Sequence, residues 1–126
     1  MAGTSNPIWN ITARETTAGA AEQDLSLSLN GAAGAASIAV PNGSELQITD
    51  YTVTAVAAAN FRLQQTNDGG SWFDLSPVRL PGDGNVGQSM KTPFVVIGGD
   101  NVAVRVRAET PGGAALVSAS LQGSLR

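Results

Sequence analysis

The feature that most constrains the fold is a series of short segments in which apolar and polar residues alternate. Alternation is clearest in residues 25–29 and 102–109, and turn-forming Gly, Pro, Asn and Asp residues separate the segments. A period of two is typical of a half-buried β-strand, and about eight such segments without a sustained helical period are typical of a sandwich or barrel. We therefore predict an all-β fold, an antiparallel β-sandwich. A jelly roll or related Greek key is the preferred topology, and an immunoglobulin-like sandwich is the alternative.

The strongest local signal is a β-hairpin within residues 46–75. Its turn is the Asn-Asp-Gly-Gly sequence at residues 67–70, and these residue types tolerate the positive φ angles of tight turns. Earlier in the same stretch, the phase of alternation shifts between Ile48 and Tyr51. An extra residue in the ladder produces such a shift, so we predict a β-bulge near Asp50.

The first 24 residues show no sustained period and are predicted to form an extended N-terminal arm, followed by a single β-sandwich domain over residues 25–126. Ile8, Trp9 and Ile11 place apolar groups in this otherwise polar arm. Such an arm either packs back on its own sandwich or docks onto a partner, because its ordering must be offset by apolar burial. Ile8, Trp9 and Ile11 are therefore the candidate partner-binding residues.

The composition argues against most catalytic and metal chemistry. The chain has 126 residues and contains neither cysteine nor histidine, so a thiolate nucleophile, an imidazole base and the usual zinc ligands are absent. We predict a protein that is not an enzyme and has no cofactor, no metal site and no catalytic residue. The loop residues Asp68, Asp83 and Asp100 invite a calcium site, but they lack the spacing of a calcium loop, and turn chemistry is the simpler interpretation.

The charge content limits the kinds of partner that the chain can bind. Seven basic and ten acidic residues give a net charge of −3, which argues against nucleic acid, since phosphate binding needs clustered Lys and Arg. No apolar run reaches the roughly 20 residues of a membrane helix, and no secretory signal is evident. Charged residues make up 13% of the chain. This low share is expected of a surface that faces other protein, or of a compact β domain with a small-residue surface.

Two pairs of neighbouring residues are candidates for surface contacts. Trp72 and Phe73 are adjacent, so in a strand they point to opposite faces, and we expect one in the core and the other partly exposed. An exposed aromatic ring can anchor a protein interface or stack on a sugar. Arg105 and Arg107 share one face, which is more often a solvated or cross-strand-paired face than an anion site.

Four stretches together resemble the small decoration, or cement, proteins of tailed bacteriophage capsids. They are the Gly/Ala/Ser/Thr-rich N-terminal stretch through Ala36, the hairpin at 65–72, and the terminal segments 102–107 and 116–125. The resemblance implies a non-enzymatic structural protein, commonly a homotrimer, that binds the outside of an assembled capsid and stiffens it. It also implies the major capsid protein as partner and the virion exterior as location, after synthesis in the host cytoplasm.

The alternative function is a carbohydrate- or receptor-binding β-sandwich module of a phage tail or cell-surface protein. Such a module would use the loop acids together with Trp72 or Phe73. A mutation at Trp72 that abolished binding without unfolding the chain would identify the site.

Overall fold

A computed structural model describes residues 7–17 and 19–126, and for residues 88–92 it describes the backbone alone. The described chain forms ten β-strands and no helix. The strands are β1 Ile8–Thr16, β2 Gln23–Asp24, β3 Ser28–Leu29, β4 Ile38–Ala39, β5 Glu45–Ala55, β6 Ala59–Thr66, β7 Trp72–Leu80, β8 Gly84–Ile97, β9 Ala103–Glu109 and β10 Leu116–Leu125.

The strands form two antiparallel sheets that pack on a shared core. The first sheet has the order β3-β1-β10-β5-β8, and the second has the order β2-β9-β6-β7, with β4 also paired to β9. The pairs are nested along the chain: β1 with β10, β2 and β4 with β9, β5 with β8, and β6 with β7. Because β10 also pairs with β5 and β9 with β6, the nested ribbon is rolled up as a jelly roll. The predicted all-β sandwich is confirmed.

The first strand corrects the predicted arm. Residues 8–16 of that arm are β1, which pairs with β10 from Ile8 opposite Ser124 to Thr16 opposite Leu116. Residues 23–24 form β2. The segment is extended, but as an integral strand of the sandwich and not as a separate arm. The inward positions of β1 are occupied by Trp9, Ile11 and a small Ala. Because the last of these is small, the alternation of apolar and polar residues was not recognised in the sequence. Residues 1–6 and residue 18 of the predicted arm lie outside the described residues.

The predicted hairpin and bulge are both present. Strands β6 and β7 form the hairpin, and the Asp68 carboxylate in its turn accepts hydrogen bonds from the N–H groups of Ser71 (2.7 Å) and Gly70 (2.8 Å). These bonds lower the pKa of Asp68, so this acid serves the turn, as the simpler interpretation held. The register between β5 and β8 shifts between Ile48 and Asp50, which confirms the bulge.

The core contains one residue whose polar group is left without a partner. Tyr51 is 1% exposed and is among the largest fully buried side chains. Its hydroxyl makes no hydrogen bond with the described part of the chain. Burial disfavours the charged phenolate and raises the pKa of Tyr51 well above its usual range.

Tyr51 should therefore make the fold sensitive to alkali. The native phenol stays protonated while that of the unfolded chain ionises above pH of about 10, so the free energy of unfolding should fall by about 1.4 kcal/mol per pH unit beyond that point. Tyr51→Phe should remove this loss and leave the neutral-pH stability equal or higher, because it deletes an unsatisfied hydroxyl. Urea unfolding at a series of alkaline pH values measures both effects. Tyr51 is the single tyrosine, so an ordinary pKa in a titration of tyrosinate absorbance would contradict its burial.

Candidate functional site

The outer face of the second sheet carries a connected set of charged side chains, called here the charged face. Its members are Glu22, Asp24, Arg62, Gln64, Trp72, Asp74, Arg105 and Arg107. Strands β6, β7 and β9 supply most of them through alternate residues, and the segment around β2 brings two acids to the same surface. Three arginines thus face three carboxylates, and their formal charges cancel.

Each arginine of the charged face has acidic neighbours. Arg62 bridges Asp74 at 2.9 Å and Glu22 at 3.0 Å. Arg107 bridges Glu22 and Asp24, both at 3.0 Å. The pairing across strands confirms one of the two interpretations of Arg107, because its guanidinium is occupied by carboxylates and is not free to receive an anion.

Gln64 connects the remaining members of the charged face. Its amide Nε2 donates to the Asp74 carboxylate at 2.9 Å, and its Oε1 accepts from Arg105 Nε at 2.8 Å. The hydrogen bond from Gln64, and after it the one from Arg62, lower the pKa of Asp74. Gln64 is 2% exposed, so the network is fixed by a buried amide as well as by exposed ion pairs.

The two adjacent aromatic residues lie at the start of the edge strand β7, and neither is in the core. Trp72 is half-buried on the charged face, where the Arg105 guanidinium carbon lies 4.0 Å from its ring centroid. Phe73 is 45% exposed. The expectation that one of the two would be a core residue is wrong, because both come directly after the exposed hairpin turn, at the start of an edge strand. The arginine covers one face of the Trp72 ring, which leaves Phe73 as the more accessible aromatic surface.

The outer face of the first sheet is different, and we call it the hydroxyl face. Its outward residues along the paired strands β1 and β10 are Ile8, Asn10, Thr12, Arg14 and Thr16 of β1 and Leu116, Ser118, Ser120, Gln122 and Ser124 of β10. Arg14 is the single charged group among these ten. Short hydroxyl side chains occupy the middle, where Thr12, Ser120 and Thr52 of β5 lie side by side in one cross-strand row.

Both ends of the hydroxyl face expose large apolar side chains. At one end, Ile8 is 60% exposed, and Val95 and Ile97 of β8 are 46% and 69% exposed. At the other end, Val56 is 56% exposed and lines a shallow pocket of about 330 Å³ together with Leu116. Of the five large apolar residues that stand out as exposed in the described chain, these four belong to the first sheet or adjoin it, and Phe73 is the fifth.

The structure therefore divides the three candidate partner-binding residues between the surface and the core. Ile8 is exposed on the hydroxyl face, whereas Trp9 and Ile11 are 8% and 2% exposed and belong to the core. Val95 and Ile97 were not among the candidates from the sequence, because they belong to the continuous apolar run 93–97, a pattern typical of a strand buried on both faces. Strand β8 is instead an edge strand that buries Val96 and exposes its two neighbours.

Two classes of site can be checked over the described residues. No group of three or more acidic, histidine or cysteine side chains that could hold a metal ion occurs there. Within the same part of the chain, no helix has the length and hydropathy needed to span a membrane.

Comparisons with known proteins give weak structural similarity. No protein-family model matches the chain, and no curated protein matches it. Among solved structures, the chain is similar to PirA at 13% identity and a TM-score of 0.39, covering 96% of this chain and 98% of that one. It is also similar to the Yersinia pseudotuberculosis-derived mitogen YPM at 9% identity and a TM-score of 0.37, covering 87% and 83%. At these values neither similarity carries an inference about function.

Proposed function

We propose that this chain is a non-enzymatic structural protein that binds the outer surface of a virus (phage) capsid and stabilises it as a decoration, or cement, protein. Its partner is the major capsid protein, its location is the virion exterior, and it acts as a homo-oligomer, for which the family resemblance implies a trimer. The observation that supports this proposal is the hydroxyl face. A surface with few charges that ends in exposed apolar groups is suited to packing against other protein.

The contrast between the two outer faces strengthens the argument. The arginines and acids of the charged face are satisfied by one another, so that face can remain in water. The hydroxyl face instead exposes Ile8, Val56, Val95 and Ile97, which gain free energy when another protein covers them. Small contacts repeated by the symmetry of a shell add up through avidity, and no single strong site is needed. The jelly roll occurs in viral capsid domains and in lectin domains alike. The capsid proposal therefore rests on the surface of the chain and not on its fold.

A shell-binding experiment tests the function. The probe is an assembled shell of the proposed partner, a major capsid protein, and sedimentation measures how much of the chain pellets with the shell. We expect saturable binding and shells that withstand a higher temperature when decorated. Phe73→Ser is the control, because Phe73 lies on the other sheet and its loss should leave shell binding unchanged.

The variant Phe73→Ser also distinguishes the alternative function, a glycan-binding module, from the capsid function. A glycan-binding module would depend on its accessible aromatic ring, which is Phe73, since Arg105 covers a face of Trp72. Absence of binding to shells, together with saturable binding to a glycan array that Phe73→Ser abolishes, would overturn the capsid proposal in favour of the alternative.

A further inference from the structure

The shallow pocket at one end of the hydroxyl face combines apolar walls with a single positive charge. Its volume is about 330 Å³, and its lining residues are Arg14, Thr54, Val56, Leu116, Val117 and Ser118. Val117 belongs to the core, whereas Val56 is 56% exposed, so apolar surface is open to solvent here. A group that fills the pocket therefore meets an apolar surface and a guanidinium at the same time.

The charge and the apolar groups of the pocket lie in neighbouring cross-strand rows. Arg14 is opposite Ser118, and Ser118 is opposite Thr54. Leu116 lies two residues from Ser118 on β10, and its carbonyl oxygen accepts a hydrogen bond from the N–H of Val56 at 3.2 Å. The rows of Arg14 and Leu116 are therefore about 7 Å apart along the strands, which is also the distance between side chains i and i+2 of any extended segment.

The Arg14 guanidinium differs from those of the charged face, each of which contacts a carboxylate. It makes no hydrogen bond or ion pair with the part of the chain that the structure describes. The adjacent acid, Glu15, lies on the opposite face of β1, and its carboxylate accepts a hydrogen bond from the N–H of Ser26 at 3.0 Å. Arg14 is thus available to an acid that another molecule supplies.

The charge of Arg14 restricts what can cover the pocket. An apolar side chain that fills it removes water from the guanidinium, and a charge that loses water without gaining a partner is costly. A carboxylate that arrives with the apolar side chain offsets this cost, because it can accept two parallel hydrogen bonds from a guanidinium. The pocket therefore favours an apolar group beside an acid over an apolar group alone or one beside a Lys or Arg.

We propose that this pocket receives a segment of the major capsid protein in which a large apolar residue and an Asp or Glu lie two positions apart. The apolar side chain packs on Leu116 and Val56, and the carboxylate binds Arg14. This inference rests on the proposed function, and it specifies the chemistry of the partner at one end of the hydroxyl face.

Shell binding by a pair of arginine variants tests the contact with the acid. Arg14→Gln should weaken binding to assembled capsid shells at least about tenfold and make it less sensitive to salt, because a charge-assisted contact is lost. Arg79→Gln is the matched control. Arg79 is exposed on β7 of the second sheet, so the same charge is removed from the other side of the molecule, and binding should stay unchanged. Circular dichroism verifies that both variants are folded.

A zero-length cross-link identifies the acid on the partner. Arg14→Lys keeps the positive charge and supplies an amine, which a carbodiimide joins to a contacting carboxylate. An amide bond forms, and the carbodiimide takes up the elements of water to become a urea. Mass spectrometry of the linked peptides should find a capsid Asp or Glu with a large apolar residue two positions away. Arg79→Lys should give no linked product at its own position.

The outcomes separate this inference from the proposed function. If the unchanged chain binds shells and Arg14→Gln binds equally well, the inference is overturned and the proposed function stands. The same holds if Arg79→Gln weakens binding as much as Arg14→Gln, if Arg14→Lys links to no capsid acid, or if the linked acid lacks the apolar neighbour. If the unchanged chain does not bind shells at all, both are overturned.

Discussion

Replacing Trp9 with alanine is expected to lower the free energy of unfolding by about 3–5 kcal/mol, the usual cost of truncating a buried Trp to Ala. Trp9 is 8% exposed and belongs to the hydrophobic core. It lies on β1, which has β10 on one side and β3 on part of the other, so the lost ring leaves a cavity under a paired strand. A free arm would predict the opposite result, a stable sandwich that binds its partner less well.

Urea unfolding followed by circular dichroism measures the effect of Trp9→Ala. Ile8→Ala is the matched control, since Ile8 is the preceding residue on the same strand and is 60% exposed. Its stability should change by less than about 0.5 kcal/mol, as for most surface substitutions. Equal stabilities for the two variants would show that β1 does not pack on the core.

Gly123→Ala is expected to cost more than about 4 kcal/mol or to prevent folding, because it forces a backbone collision and not merely a cavity. A Cβ at this position would collide with the carbonyl oxygen of Gln47 and would lie 3.1 Å from the Cα of Ile48. Both obstacles are backbone atoms of the neighbouring strand β5, next to the point where the register between β10 and β5 shifts. Relief of the collision would require β10 and β5 to separate.

Thermal unfolding and the yield of soluble protein measure the effect of Gly123→Ala. Gly112→Ala is the control, because no described atom beyond the adjacent residues lies within 4 Å of the Cβ that it would add. We expect Gly112→Ala to leave the midpoint of unfolding unchanged or slightly raised, as the substitution stiffens the unfolded chain. A Gly123→Ala protein as stable as this control would contradict the close contact between β10 and β5.

The parts of the fold that depend on local sequence were predictable. The hairpin turn follows from the conformational freedom of its Asn, Asp and Gly residues, and Asp68 holds that turn through two backbone N–H groups. The bulge near Asp50 followed from a change of phase within a few residues. Both signals reside in contiguous residues, so neither required knowledge of which strands pair.

The parts that depend on distant pairing were not predictable. Ile8 pairs with Ser124, and no pattern within residues 8–16 announces that partner, so this strand was taken for an arm. Glu22 and Asp24 meet Arg107 through the pairing of β2 with β9, which no local period indicates. The exposure of Ile97 depends on β8 being at an edge, which is a property of the whole sheet.

The nested pairing of β1 with β10 also sets the order in which the molecule can fold during its synthesis. Of the ten strands, a ribosome releases β1 first and β10 last, so β1 lacks its main partner until the other strands have been made. The hairpin of β6 and β7 has both strands available much earlier. Loop closure over more than a hundred residues is slow compared with closing a hairpin. The first sheet, and with it the hydroxyl face, is therefore completed only after β10 has been synthesised, later than the hairpin of β6 and β7.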